Sequence, residues 1–141
     1  MLKNIPAILS PELMKVLLEM GHGDELIIAD GNYPVHSQKV PVIRADGHEV
    51  KQFLDAILDY YPLDTYSDHP VALMEVVQGD PTVPVIWDSY KEIIATKGYD
   101  LDVIAHIDRF DFYQRSEKAF AIIATSDKAL YANILLKKGV V

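Results

Sequence analysis

Ser10-Pro11-Glu12-Leu13-Met14-Lys15-Val16-Leu17-Leu18-Glu19-Met20-Gly21-His22-Gly23-Asp24-Glu25-Leu26-Ile27-Ile28-Ala29-Asp30-Gly31 is the stretch on which the fold turns. Ser10 is a capping residue, Pro11 suits the first helical position, and Glu12 puts an acid in the first turn. Leu13, Val16, Leu17 and Met20 follow at i, i+3, i+4 and i+7, the spacing of one buried helical stripe. Gly21 is a usual helix stop. The period then changes. Leu26 to Ala29 is an unbroken apolar run closed by Asp30-Gly31, which predicts a short strand covered on both faces.

The same alternation continues along the chain. Val40 to Ile43 is a strand candidate ended by Asp46-Gly47. Val50, Phe53, Leu54, Ile57 and Leu58 mark a second amphipathic helix that stops before Pro62. Val71 to Val77 reads as a buried strand. Pro81 and Pro84 lead into a helix bearing Trp87, Tyr90, Ile93 and Ile94, with Gly98 as its stop. Val103 to Ile107 is a strand, Phe110 to Lys118 a short helix, and Ala119 to Thr125 and Tyr131 to Leu136 the last two strands. The polar, proline-bounded stretch Tyr61 to Pro70 reads as a surface loop. Strands alternating with helices predict a single-domain α/β fold. It is a three-layer α/β/α sandwich, with helices on both faces of a mainly parallel or mixed central sheet.

Composition narrows the function. The chain has 141 residues, the size of one domain. It has no cysteine, so disulfides, thiolate metal sites and a cysteine nucleophile are excluded. The net charge of −8 disfavours contact with phosphate backbones, so no nucleic-acid partner is expected. No apolar run reaches the roughly 18–20 residues of a membrane span, and the first residues lack a signal-peptide pattern. No membrane partner is expected, and a cytoplasmic location follows by default. The five histidines match no metal-ligand spacing, and G-x-S-x-G, G-x-x-x-x-G-K-[ST] and G-x-G-x-x-G are all absent. No metal and no cofactor are expected.

Four places could carry chemistry. His22 lies between two glycines that admit unusual backbone angles and close approach of a ligand. An imidazole titrates near neutrality, although a helix-capping turn explains the same pattern. Asp30 stands at the carboxyl end of the first strand, where α/β sheets bind ligands. An Asp-Gly turn former is its other reading. Arg109, also just past a strand, offers a fork of donors for hydroxyl pairs, or an ion pair with Asp108 or Asp111. Tyr131 and Asn133, two apart in an extended chain, point the same way and make a patch able to bind a polyol, or a strand's ordinary wet face. The aromatics Phe110, Phe112, Tyr113 and Phe120 serve stacking or core packing.

Several stretches together carry a resemblance. They are Leu9-Ser10-Pro11-Glu12-Leu13, Glu19-Met20-Gly21-His22-Gly23-Asp24-Glu25, Val42-Ile43-Arg44-Ala45-Asp46-Gly47, Arg109-Phe110-Asp111-Phe112-Tyr113, Lys118-Ala119-Phe120-Ala121-Ile122 and Tyr131-Ala132-Asn133-Ile134-Leu135-Leu136 with the following Lys137-Lys138-Gly139-Val140. In order and spacing they resemble the RbsD/FucU family of sugar mutarotases, most closely its L-fucose branch. The resemblance implies that His22 is the proton donor. It also implies that Asp30, Arg109, Tyr131, Ala132 (through its backbone) and Asn133 contact the sugar. On this basis Asp30 orients or tunes His22, and Tyr131 is the complementary acid/base group.

The resemblance further implies a monosaccharide substrate such as L-fucose and a homo-oligomer, often a decameric ring, with pockets near subunit contacts. The apolar end Gly139-Val140-Val141 suits burial against a neighbour. A ribose-type pyranase and a non-catalytic sugar-binding accessory of a transport system are the alternatives. Asn32 stands where the fucose branch often carries a histidine, which bears on the sugar accepted.

Overall fold

The Ser10 hydroxyl accepts the Leu13 N–H at 3.1 Å and opens α1 (Pro11–Glu19), as its capping chemistry predicts. A computed structural model describes residues Met1–Val141. The chain continues through β1 (Glu25–Ala29), β2 (Val42–Ala45), α2 (Val50–Leu58), β3 (Val71–Met74), α3 (Ile86–Thr96), β4 (Ile104–Ile107), α4 (Arg109–Ser116), β5 (Ala121–Thr125) and β6 (Ile134–Lys137). The strands form one six-stranded sheet in the order β2-β5-β1-β6-β3-β4. Neighbours pair in parallel except at β6, which is antiparallel to both β1 and β3. Five strands therefore run one way and β6 alone runs back through the middle of the sheet.

The apolar run of β1 is explained by its two faces. Leu26 and Ile28 join one cluster with Leu13 and Leu17 of α1, Phe53, Leu54 and Ile57 of α2, and Tyr90 and Ile94 of α3. Ile27 and Ala29 join a second cluster with Tyr33, Val35 and Phe112 of α4. Three helices cover one face and α4 the other, which is the expected sandwich with a mixed sheet. Each fully buried aliphatic side chain in these clusters contributes about 1.5–3 kcal/mol relative to exposure.

Three expectations change. β3 ends at Met74 rather than Val77. β6 starts at Ile134, because Tyr131 sits in the left-handed region at φ 58, which a strand cannot include. Tyr131 and Asn133 are thus not two rungs of one strand face. The stretch after Tyr61 is a surface loop only in its second half: Tyr61, Leu63 and Asp64 are buried, while Thr65, Tyr66, Asp68 and His69 are exposed. Its backbone follows the end of β6, with Asp64 N–H donating to Lys137 at 3.0 Å and Gly139 N–H to Pro62 at 2.8 Å. The approach is so close that a Cβ on Gly139 would stand 2.5 Å from the Leu63 carbonyl oxygen, so only glycine fits there.

Candidate functional site: two polar clusters on opposite sheet edges

The turn between α1 and β1 is held from several sides. Gly23 takes φ 87, which its flanking side chains could adopt only with strain, and its N–H donates to Lys138 at 2.8 Å. The Lys138 ammonium donates to the Leu17 and Met20 carbonyls and so ties off the end of α1. In this turn His22 Nε2 lies 3.1 Å from Asp64 Oδ1. Beside a carboxylate, Nε2 carries the proton and donates it, which directs the lone pair of the neutral ring to Nδ1. The histidine side chain is 47% exposed while that of Asp64 is 4% exposed, so the pair has one anchored end and one open end. Asp64 also accepts the Tyr66 N–H at 3.1 Å, and Lys137 Nζ stands 3.6 Å from its other oxygen. Burial raises the Asp64 pKa, but the His22 and Tyr66 hydrogen bonds and the nearby Lys137 charge outweigh it, and the carboxyl is held below its ordinary range.

At the other end of β1, Asp30 and Asn133 lock together. Asp30 N–H donates to Asn133 Oδ1 at 2.8 Å, and Asn133 Nδ2 donates to Asp30 Oδ2 at 3.0 Å. Asn32 N–H donates to Asp30 Oδ1 at 2.9 Å. Both side chains are buried. Burial is the main force on Asp30 and pushes its pKa up, against the hydrogen bonds from Asn32 and Asn133. Tyr131 stands two residues before Asn133. Its phenol donates to Asp80 Oδ2 at 2.5 Å, and its carbonyl accepts the Trp87 indole N–H at 2.9 Å. The Ala132 carbonyl is taken by the Tyr90 hydroxyl at 2.6 Å. Arg109 opens α4 directly after β4 and lies exposed, its guanidinium 4.8 Å from the Phe110 ring centre. Asp108, considered as its ion-pair partner, instead caps α4 by accepting the Asp111 N–H at 2.9 Å. Phe110 is exposed whereas Phe112 is fully buried, so the aromatic set divides between surface and core.

Asp30, Arg109, Tyr131, Ala132 and Asn133 therefore share the sheet edge formed by the carboxyl ends of the parallel strands and the start of β6. His22 does not. It sits at the opposite edge, beside the end of β6, and β1 alone spans roughly 13 Å between the two edges at about 3.3 Å per residue. Within one copy the carboxylate hydrogen-bonded to His22 is Asp64, while the oxygens of Asp30 are engaged by Asn32 and Asn133. Asp64 and Asp80 were hidden from sequence reading. Asp64 lies in a stretch whose polarity and prolines mimic a solvated loop, and Asp80 in a Gly-Asp-Pro turn. No group of three His, Asp or Glu side chains is placed to hold a metal ion. No helix is long and apolar enough to cross a membrane. An apolar groove of ≈ 380 Å³ lined by Leu17, Leu18, Tyr60, Pro62, Val140 and Val141 borders the His22 edge.

The sequence profile of the RbsD/FucU transport protein family matches residues 3–141. The chain belongs to the RbsD/FucU family. Among its RbsD/FucU relatives, the human protein named fucose mutarotase is 47% identical, with 99% of this chain and 94% of that protein covered. The crystal structure of the fucose mutarotase of Streptococcus pneumoniae in complex with L-fucose shares 51% identity and superposes with a TM-score of 0.96, covering 99% of each chain. FucU of Bifidobacterium longum shares 48% identity at a TM-score of 0.95, again covering 99% of each chain. The six-stranded mixed sheet with its four helices is thus the RbsD/FucU fold.

Proposed function

We propose that this chain is an L-fucose mutarotase, an isomerase that interconverts the α and β anomers by opening and reclosing the sugar ring. Likeness over the full chain to proteins named for that reaction, one of them holding L-fucose, carries the reading. The side chains suit the chemistry. Ring opening needs a proton delivered to the ring oxygen and one removed from the anomeric hydroxyl. His22, as the imidazolium with its Nε2–H held by Asp64, delivers the first from its outward Nδ1. Tyr131 faces the second. Asp30, Arg109, Asn133 and the Ala132 backbone hold the hydroxyls, and the Asn32 side chain at the same edge bears on which sugar is accepted.

This reading has a geometric requirement. The His22 edge of one copy must meet the Asp30 edge of another, because one copy holds the two sets on opposite edges. Such a contact joins unlike surfaces, the head-to-tail kind that closes into rings. The exposed Leu18, Tyr60, Val140 and Val141 beside the His22 edge supply apolar surface for it. A decameric ring, a cytoplasmic location and L-fucose as the physiological sugar belong to this proposal.

Saturation-transfer NMR of anomer exchange on L-fucose, D-ribose and D-galactose tests the reading. Substoichiometric protein should accelerate L-fucose exchange most, and His22→Ala should abolish the acceleration. Preference for D-ribose would favour the pyranase alternative. Binding of L-fucose without accelerated exchange would favour the accessory-protein alternative.

A further inference from the structure

Tyr131 is held more firmly than sugar binding requires. Its backbone is in the left-handed region at φ 58, a conformation that a tyrosine keeps only when its surroundings impose it. Trp87 fixes its carbonyl at 2.9 Å, while Asp80 Oδ2 accepts its phenol proton at 2.5 Å and the Val77 N–H donates to the phenol oxygen at 3.3 Å. Asp80 is itself anchored: its Oδ1 accepts the Thr82 N–H at 2.9 Å and the Thr82 hydroxyl at 2.6 Å, and its own N–H donates to Val77 at 3.0 Å. The loop after β3 thus presents one carboxylate oxygen to the phenol and keeps the other occupied.

This arrangement decides which way a proton can move. A phenol that already donates its hydrogen to a carboxylate has none to give a sugar oxygen, but its oxygen can accept one. Tyr131 alone offers no phenolate, because the hydrogen bond to Asp80 raises its pKa, and the Thr82 hydroxyl bond, with that of Tyr131, lowers the pKa of Asp80. A concerted transfer avoids the free phenolate. We propose that Asp80 is the positioning residue and terminal proton acceptor behind Tyr131, so that the anomeric proton is removed by a Tyr131–Asp80 relay.

In the balanced step the anomeric O–H gives its proton to Tyr131 Oη as the phenol proton passes to Asp80 Oδ2. The C1–O5 bond breaks with its electron pair on O5, which takes the Nδ1 proton of the His22 imidazolium and leaves the neutral ring with its Nε2–H on Asp64, and C1=O forms. Reclosure on the other face returns both protons. The proposal rests on the mutarotase reading above and adds the destination of the second proton.

Asp80→Asn tests it, since an amide oxygen still accepts the phenol hydrogen bond but does not take up the proton. The expected result is a fall in kcat for L-fucose exchange of about 10² with KM nearly unchanged. Tyr131→Phe should fall similarly, and the double variant should lose no more than the larger single loss, as for groups acting as one unit. A ¹³C titration of the Tyr131 ring in the sugar-free protein, assigned with Tyr131→Phe, should move toward about 10 in Asp80→Asn. This checks the influence of the Asp80 carboxylate on the phenol without reference to turnover, and thermal unfolding of each variant verifies the fold. Wild-type kcat in Asp80→Asn, a change confined to KM, or additive losses in the double variant would overturn the relay while leaving the mutarotase reading intact. Failure of the wild-type protein to accelerate exchange would overturn both.

Discussion

In the proposed mechanism the imidazole of His22 is oriented by a neighbour forty-two positions away in sequence. Without Asp64 the ring would sample both tautomers and several orientations, because almost half of its side chain faces solvent. Asp64→Asn is expected to slow L-fucose exchange by about 10- to 10²-fold, less than the loss of His22 itself, while L-fucose affinity measured by titration stays close to wild type. Equal exchange rates in the two proteins would remove Asp64 from the machinery.

Asp30 makes a prediction of the opposite electrostatic kind. Its folded pKa is raised above the unfolded value of about 3.9, so its contribution to stability is fully present below that pH and is lost as pH rises through the folded value. Asp30→Asn does not titrate. Its melting temperature relative to wild type should therefore climb as pH rises above about 4, even as sugar binding weakens. A difference that stays flat over that range would refute burial as the dominant force on this carboxyl. His22, Asp30, Arg109, Tyr131 and Asn133 stood out as candidates in sequence because glycines, strand ends and family motifs flag them. Asp64 and Asp80 did not, because their partners are distant in sequence and the hydrogen bonds that define them exist only after folding.

Among the elements, those with strong periodicity were legible to within a few residues. α1 and α2 follow their apolar stripes, and the two-sided burial of β1 and β5 follows from unbroken apolar runs. Two misreadings share one cause. The start of β6 and the stretch after Tyr61 are shaped by contacts with each other's neighbourhoods rather than by local pattern. Leu63 bridges Lys138, and Tyr131 is pinned by Asp80 and Trp87 from the far side of the β3–α3 connection. Gly139 is where this dependence is tightest. Gly139→Ala should destabilise the protein by about 2–4 kcal/mol in denaturant unfolding, because the new methyl meets Leu63 and Asp64 backbone that is itself hydrogen-bonded to β6. Exchange should fall as well, since Asp64 moves with that backbone. A midpoint equal to wild type would show that the two segments separate easily.

At the level of the whole molecule, the sandwich was legible from alternation, but neither the reversed β6 that makes the sheet mixed nor the division of the polar residues was. Sequence order sets His22 and Asp30 eight positions apart and invites the thought that they touch. A five-residue strand between them holds them apart instead. If unlike edges of two copies form each pocket, two inactive proteins should rescue one another. Equal amounts of His22→Ala and Asp30→Ala, unfolded and reassembled together, should recover about one quarter of wild-type exchange, the share of contacts in which both intact edges meet. Each variant reassembled alone should stay inactive. No recovery on mixing would place a complete pocket within one copy and set the shared-edge arrangement aside.

The run of β6 against its neighbours has a further consequence. It starts beside Asp30 and ends beside His22, so under the proposed meeting of unlike edges every copy would carry half of a pocket at each tip and own none outright. Catalytic power is then a property of abundance. At low concentration such a chain would be silent, not through inhibition but through solitude, and would switch on as copies accumulate. A cell could govern the reaction by expression level alone, with an onset steeper than simple proportion and no effector molecule needed.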